Sequence, residues 1–203
     1  MSFTKKDFWF ALFTGFYAGL IAWLIAGFLK LPPFNGWSYA WLIIAVPVLW
    51  VIGVWLGYWL GRWLAFFSQF GKFSAIGFTN AAVDFGILNL QIALTGITGG
   101  VAYAGIRTVA AVIAVSHSYF WNRTWVFASR RENIAGEFVK FVVAAGIAAA
   151  INIGVASAVV NLIKPLAGFS PERWANLGAV IGSAVALAVN FVILRQRVFK
   201  QKN

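Results

Sequence analysis

The stretch FVKFVVAAGIAAAINIGVASAVVNLI, residues 138–163, carries a single charge, Lys140, and decides the fold class. A helix rises about 1.5 Å per residue, so this run reaches about 39 Å, more than the roughly 30 Å of hydrocarbon in a bilayer. A surface helix of a soluble protein would need a polar stripe along this length, and none is present. Working outward, residues 8–29, 38–62, 73–95, 102–121 and 174–194 read the same way. The whole chain is 62% hydrophobic and 10% charged, with a mean hydropathy of +0.83. Soluble domains carry about 25% charged residues. The expectation is an all-α polytopic membrane protein with about six transmembrane helices.

The breaks between these runs carry helix-ending and helix-starting residues. Pro32, Pro33, Asn35 and Gly36 close the first span, and Gly96, Gly99 and Gly100 close the third. Ser129 with Glu132 reads as a capping box before the fifth, and Ser170-Pro171-Glu172 as the start of the sixth. The first span follows Lys5 and Lys6 and superficially resembles a secretory signal. Its length and aromatic content mark it as a retained helix.

Charge sets the expected orientation. Of the 16 Lys and Arg residues, only Lys30, Lys164 and Arg173 fall on one side of the six-span arrangement. Arg107 lies inside a span, and all the others fall on the opposite side. Basic loops face the cytoplasm, so both termini are expected there, in a multi-pass protein of the cytoplasmic membrane. The net charge of +11 then reflects basic loops facing anionic membrane lipids, with no nucleic-acid partner.

The later part of the chain repeats itself. Lys72-Phe73 opens the third span and Lys140-Phe141 the fifth. Arg123-Thr124-Trp125-Val126-Phe127 ends the fourth, and Arg195-Gln196-Arg197-Val198-Phe199 ends the sixth. Both units leave and re-enter on the same side, so residues 67–203 are expected to form a four-helix domain of two parallel helical-hairpin repeats. Residues 1–66 form a separate two-helix membrane extension. Its small-residue stripes, Gly15 with Gly19 and Gly53 with Gly57 and Gly61, suit close helix packing, docking of a partner, or a homo-oligomer. Trp37, Trp41, Trp59 and Trp63 sit near span ends, as interfacial anchors do.

Polar residues inside the spans narrow the function. A carboxylate or guanidinium at mid-bilayer costs about 2.5–3.5 kcal/mol on insertion scales, which makes it a functional candidate. Counted from Lys72, Asp84 stands roughly 18 Å into the membrane; Asn152, from Lys140, and Ser183, from Arg195, reach roughly the same height. Arg107 comes within side-chain reach of Asp84. Asn80, Asp84 and Gln91 share a helix face, as do Asn176, Ser183 and Asn190. If these rows converge, they line a polar slot across most of the membrane. The plainer alternative is that Asp84 and Arg107 neutralise each other while Asn and Ser hold helices together. His117 is compatible with packing or with proton handling.

Enzymatic chemistry is not expected. The chain has no cysteine and one histidine, and Asp84 is the only acidic residue within the six runs. That leaves no catalytic constellation and no metal cage, and no cofactor is called for.

The motifs resemble a family. Phe73, Gly77, Asn80-Ala81-Ala82-Val83-Asp84-Phe85 and Asn89-Leu90 form the first matching stretch. Phe120-Trp121-Asn122-Arg123-Thr124-Trp125-Val126-Phe127 forms the second. Lys140-Phe141, Asn190-Phe191 and Arg195 through Phe199 form the third. In order and spacing, residues 72–199 resemble the GtrA-like family of small membrane proteins. The resemblance implies translocation of a polyprenyl-phosphate-linked monosaccharide to the outer leaflet, where glycosyltransferases of the same pathway use it on cell-surface polysaccharide. In some proteins a similar domain is fused to a polyprenyl-phosphate sugar synthase as an anchor. The first two spans lie outside the resemblance, Ser118 stands where the family often has Asn, and Arg107 is not a family signature.

A lipid-linked sugar phosphate can keep its tail in the bilayer while its head crosses a polar slot. Arg123 and Arg195 are expected to capture the phosphate at the cytoplasmic mouth, since a guanidinium binds two oxygens at once. Asn122 and Arg197 stand in the same two motifs and complete the expected mouth. Asn80, Asp84, Asn152 and Asn190 would meet sugar hydroxyls during passage, with Arg107 beside Asp84. Two other functions stay open: a non-transporting anchor or assembly subunit for a glycosyltransferase, and a small cation/proton exchanger using Asp84.

Overall fold

The computed structural model describes residues 2–32, 38–98, 100–165 and 171–199. Pro33, Asn35, Gly36, Trp37, Gly99, Ser170, Lys200 and Lys202 lie outside them, as do the side chains of Glu172, Arg173 and Asn176. Every regular element among the described residues is helical: α1 (Lys5–Phe28), α2 (Leu42–Leu60) after a 3₁₀ turn at Tyr39–Trp41, α3 (Phe66–Thr95), α4 (Gly100–Trp121), α5 (Ile134–Leu162) and α6 (Pro171–Ile193). All six are long and apolar enough to cross a membrane. Large apolar side chains such as Ile44, Leu94, Val101 and Val180 stand exposed on them, an exterior suited to hydrocarbon rather than water.

Packing divides the chain into two compact units, residues 1–128 and residues 129–203. The first holds α1 through α4, the second α5 and α6. In the first unit, small residues let the helices approach backbone to backbone. A side chain at Gly15 would collide with Pro47, one at Gly19 with the Leu42 carbonyl, and one at Gly57 with the Phe67 carbonyl. Gly71 approaches the other side of the same contact, beside Gly57 and the Gly53 carbonyl. The glycine stripes of α1 and α2 are therefore largely consumed in contacts within the chain, where hydrocarbon supplies no hydrophobic drive and close van der Waals packing must act instead.

Helix ends follow local chemistry. α3 stops at Gly96, whose φ of +68° places it in the left-handed cap that glycine adopts without a Cβ clash. Thr4 and Asp7 form a reciprocal capping box at the start of α1. The expected Ser129–Glu132 box is not formed. Asn133 caps α5 by accepting from the Gly136 amide at 2.8 Å, while the Ser129 hydroxyl donates to Glu137 at 2.6 Å. The helix starts at Ile134 with Asn133 as its cap, so Glu132 lies before the cap and never occupies the third helical position that such a box requires.

The two later hairpins close alike. α4 ends in a π turn, Asn122–Val126, with the Phe127 amide bonded to the Asn122 carbonyl at 2.9 Å. α6 ends in a π turn, Leu194–Val198, with the Phe199 amide bonded to the Leu194 carbonyl at 2.8 Å. In the first hairpin Phe73 packs on Phe127, with ring centres 6.4 Å apart; in the second Phe141 packs on Phe199 at 6.1 Å. The repeated Lys-Phe and Arg-x-x-Val-Phe strings are thus paired pieces of one local design.

Candidate functional site

Polar side chains in the first unit run along the face of α3. At one end stands Asp7 of α1, buried and bound from α2, α3 and the turn after α4. It accepts from the Tyr58 hydroxyl at 3.0 Å and the Trp125 indole at 2.9 Å, and it pairs with the Lys72 ammonium at 3.0 Å. Lys72 also lies over the Tyr58 ring. A carboxylate withdrawn from water needs this many donors, and two helices and a turn supply them. Asp7 and the buried Glu137 lie in the first turns of the long apolar helices α1 and α5, so Asp84 is not the only acidic residue on the six candidate spans. The sequence signal for Asp7 was the Thr4-x-x-Asp7 spacing; its long-range partners left none.

Further along α3, the Asn80 carbonyl oxygen faces His117 Nδ1 at 3.3 Å, and the Tyr17 hydroxyl lies 2.6 Å from His117 Nε2. α1, α3 and α4 meet in this chain. One turn beyond Asn80, Asp84 accepts two hydrogen bonds from Arg107, at 2.6 and 2.8 Å. The expected reach between them is therefore realised as a bidentate pair, the strongest geometry the two groups can adopt. Only two of the five guanidinium N–H groups are spent on Asp84. The Arg107 side chain remains 41% exposed and that of Asp84 19%. Gln91 closes the row by donating to the Ile106 carbonyl of α4 at 3.1 Å.

The two π turns carry the expected mouth residues. On the first, Asn122 is buried; its amide donates to the Ser118 carbonyl at 2.8 Å, while its own side-chain oxygen has no protein partner among the described residues. Arg123 next to it donates to the Tyr119 hydroxyl at 3.2 Å. On the second, Arg195 is half-buried and Arg197 exposed. Asn190, one turn earlier on α6, has a buried side-chain oxygen that is likewise unpartnered among the described residues. Asn152 of α5 donates to Ser183 of α6 at 3.3 Å, joining the two residues placed at equal height by counting.

The first unit thus brings Asp84 to Arg107 and Asn80 to His117, and it sets Asn122 beside Arg123. The second brings Asn152 to Ser183 and carries Asn190, Arg195 and Arg197. No three or more His, Cys, Asp or Glu residues gather to hold a metal ion among the described residues.

These features define a multi-pass helical membrane protein with ionisable and amide groups held inside its spans. Residues 72–199 match the family described as GtrA/DPMS, transmembrane domain, and the chain belongs to that family. The family is linked to polyprenyl-sugar translocation and is generally taken as non-catalytic. The chain is also 31% identical over 71 residues to the uncharacterized membrane protein YngA of Bacillus subtilis (strain 168), a match covering 35% of this chain and 45% of that protein.

Proposed function

We propose that this protein translocates a polyprenyl-phosphate-linked monosaccharide across the cytoplasmic membrane for glycosylation of cell-surface polysaccharide. The observation that carries the reading is the Asp84–Arg107 pair: an incompletely used guanidinium, kept partly exposed within a span of a family domain linked to such lipids. A purely structural ion pair would be expected to bury both partners and use their donors.

In this reading both termini face the cytoplasm, and the hairpins α3–α4 and α5–α6 each enter and leave the membrane on that side. Arg123 on the π turn of the first unit, and Arg195 and Arg197 on that of the second, are each offered to the phosphate. Such turns recur at functional sites because the extra residue frees backbone and side-chain groups for a ligand. The unpartnered oxygens of Asn122 and Asn190 accept from sugar hydroxyls, which both donate and accept. In the first unit Asn80, Asp84 and Arg107 serve the head group at mid-membrane, where the phosphate competes with Asp84 for Arg107; in the second unit Asn152 has the corresponding role.

The anchor reading draws support from the same pair, because a carboxylate and a guanidinium that neutralise each other need no ligand. A proton exchanger is disfavoured, since both carboxylate oxygens of Asp84 are engaged by a permanent cation. Reconstitution decides. Purified protein in vesicles should accelerate transbilayer exchange of a labelled polyprenyl-phosphate sugar over protein-free vesicles. Unchanged exchange would leave the anchor as the better answer.

A further inference from the structure

We propose that Tyr17, His117 and Asn80 form a neutral hydroxyl-binding station for the sugar head group, so that helix α1, outside the family domain, is a working wall of the path. The inference rests on the translocation reading and adds a site to it.

Proton placement makes the case. The Asn80 side-chain oxygen faces Nδ1 of the His117 ring, which fits the tautomer that carries its hydrogen there. Nε2 is then bare and accepts the Tyr17 hydroxyl proton at 2.6 Å. The chain is thereby polarised. Its Tyr17 end offers the oxygen lone pair left beside the Trp121 indole bond, and its Asn80 end offers two amide N–H donors that have no protein partner among the described residues. Donors left unspent within a span are costly unless something takes them. A hydroxyl group that both donates and accepts suits these two ends, whereas an anionic phosphate would find no charge here to meet it.

Position agrees with chemistry. All three side chains are half-buried and therefore reachable. Asn80 lies one helical turn from Asp84, so a phosphate at Arg107 would hold its sugar within reach of the station. Trp121, one turn from His117 and 6.5 Å from its ring, extends an aromatic wall with Phe10 and Phe13 of α1. Trp121 is itself buried, so this wall fixes the His117 ring in place rather than touching the sugar.

The test compares two lipids in the reconstituted full chain: a labelled polyprenyl-phosphate sugar and the same polyprenyl phosphate without sugar. Tyr17→Phe keeps the ring and removes the hydroxyl. It should slow exchange of the sugar-bearing lipid about tenfold, the loss of one good hydrogen bond, and leave the bare phosphate lipid unchanged. Equal slowing of both lipids, or of neither, overturns the station while the translocation reading stands. If the wild-type chain exchanges neither lipid, translocation fails, and binding of the sugar-bearing lipid, read by quenching of tryptophan fluorescence, judges the station alone. Weaker binding by Tyr17→Phe would then support it; equal binding, or none by the wild type, would overturn it.

Discussion

The Lys72 ammonium lies 3.0 Å from the Asp7 carboxylate, tying a helix outside the family domain to the residue at which the family match begins. Tyr58 and Trp125 bond the same carboxylate, so one side chain joins α1, α2, α3 and the turn after α4. Here the two N-terminal helices pack in one compact unit with the first hairpin.

Removing that carboxylate strands a buried ammonium. Asp7→Ala should cost about 3 kcal/mol of stability, seen as a lower Tm in detergent, because breaking a buried pair leaves an uncompensated charge. Adding Lys72→Met to the same variant should recover part of the loss. Equal Tm values for the single and double variants would show that the ion pair contributes nothing.

The Asp84–Arg107 pair separates transport from anchoring. Arg107→Ala leaves a carboxylate within the membrane and should cost about 2.5–3.5 kcal/mol. The double variant Asp84→Asn with Arg107→Gln removes both charges and should restore the Tm while leaving vesicle exchange abolished. Surface glycosylation that survives in the double variant would favour the anchor.

Glycine substitutions give an internal control. Gly57→Ala and Gly15→Ala push a methyl group against backbone atoms of the neighbouring helix and should each cost about 1–3 kcal/mol. Gly53→Ala meets nothing within 4 Å and should be neutral or slightly stabilising. Comparable losses of Tm at all three sites would contradict the observed α1–α2 and α2–α3 approaches.

Topology can be read by thiol labelling, since the chain has no cysteine of its own. A cysteine replacing Lys30 should react with an impermeant maleimide in intact cells. One replacing Arg130 should react only after the membrane is opened. The reverse pattern would invert the orientation drawn from the basic loops.

Much of the candidate site was legible because charge inside hydrocarbon is rare enough to stand out. Asp84 and Arg107 were conspicuous in apolar runs, and counting along α3 and α4 brought them within reach. Asp7 was not conspicuous: it sits among polar residues at a span end, and only folding brings Tyr58 and Trp125, 51 and 118 residues away, onto its carboxylate. Tyr17 was hidden for a different reason: it stands at the middle of the aromatic-rich helix α1, where one more aromatic side chain reads as packing. The capping box failed because several polar residues before α5 could cap it, and the choice depends on where the chain turns.

By itself the sequence determined the helical, membrane-spanning character of the protein, its six spans and its family, because helix hydrogen bonds are local and a bilayer admits only long apolar segments. Tertiary structure alone decided which helices meet: the α1–α2 pair against α3, the Asp7 tie, and the Tyr17–His117–Asn80 chain. Within hydrocarbon every lipid-facing apolar side chain is equally content, so helix partners are chosen by small-residue fit and by scattered hydrogen bonds. Those depend on rotation and depth, which no pattern along the chain records.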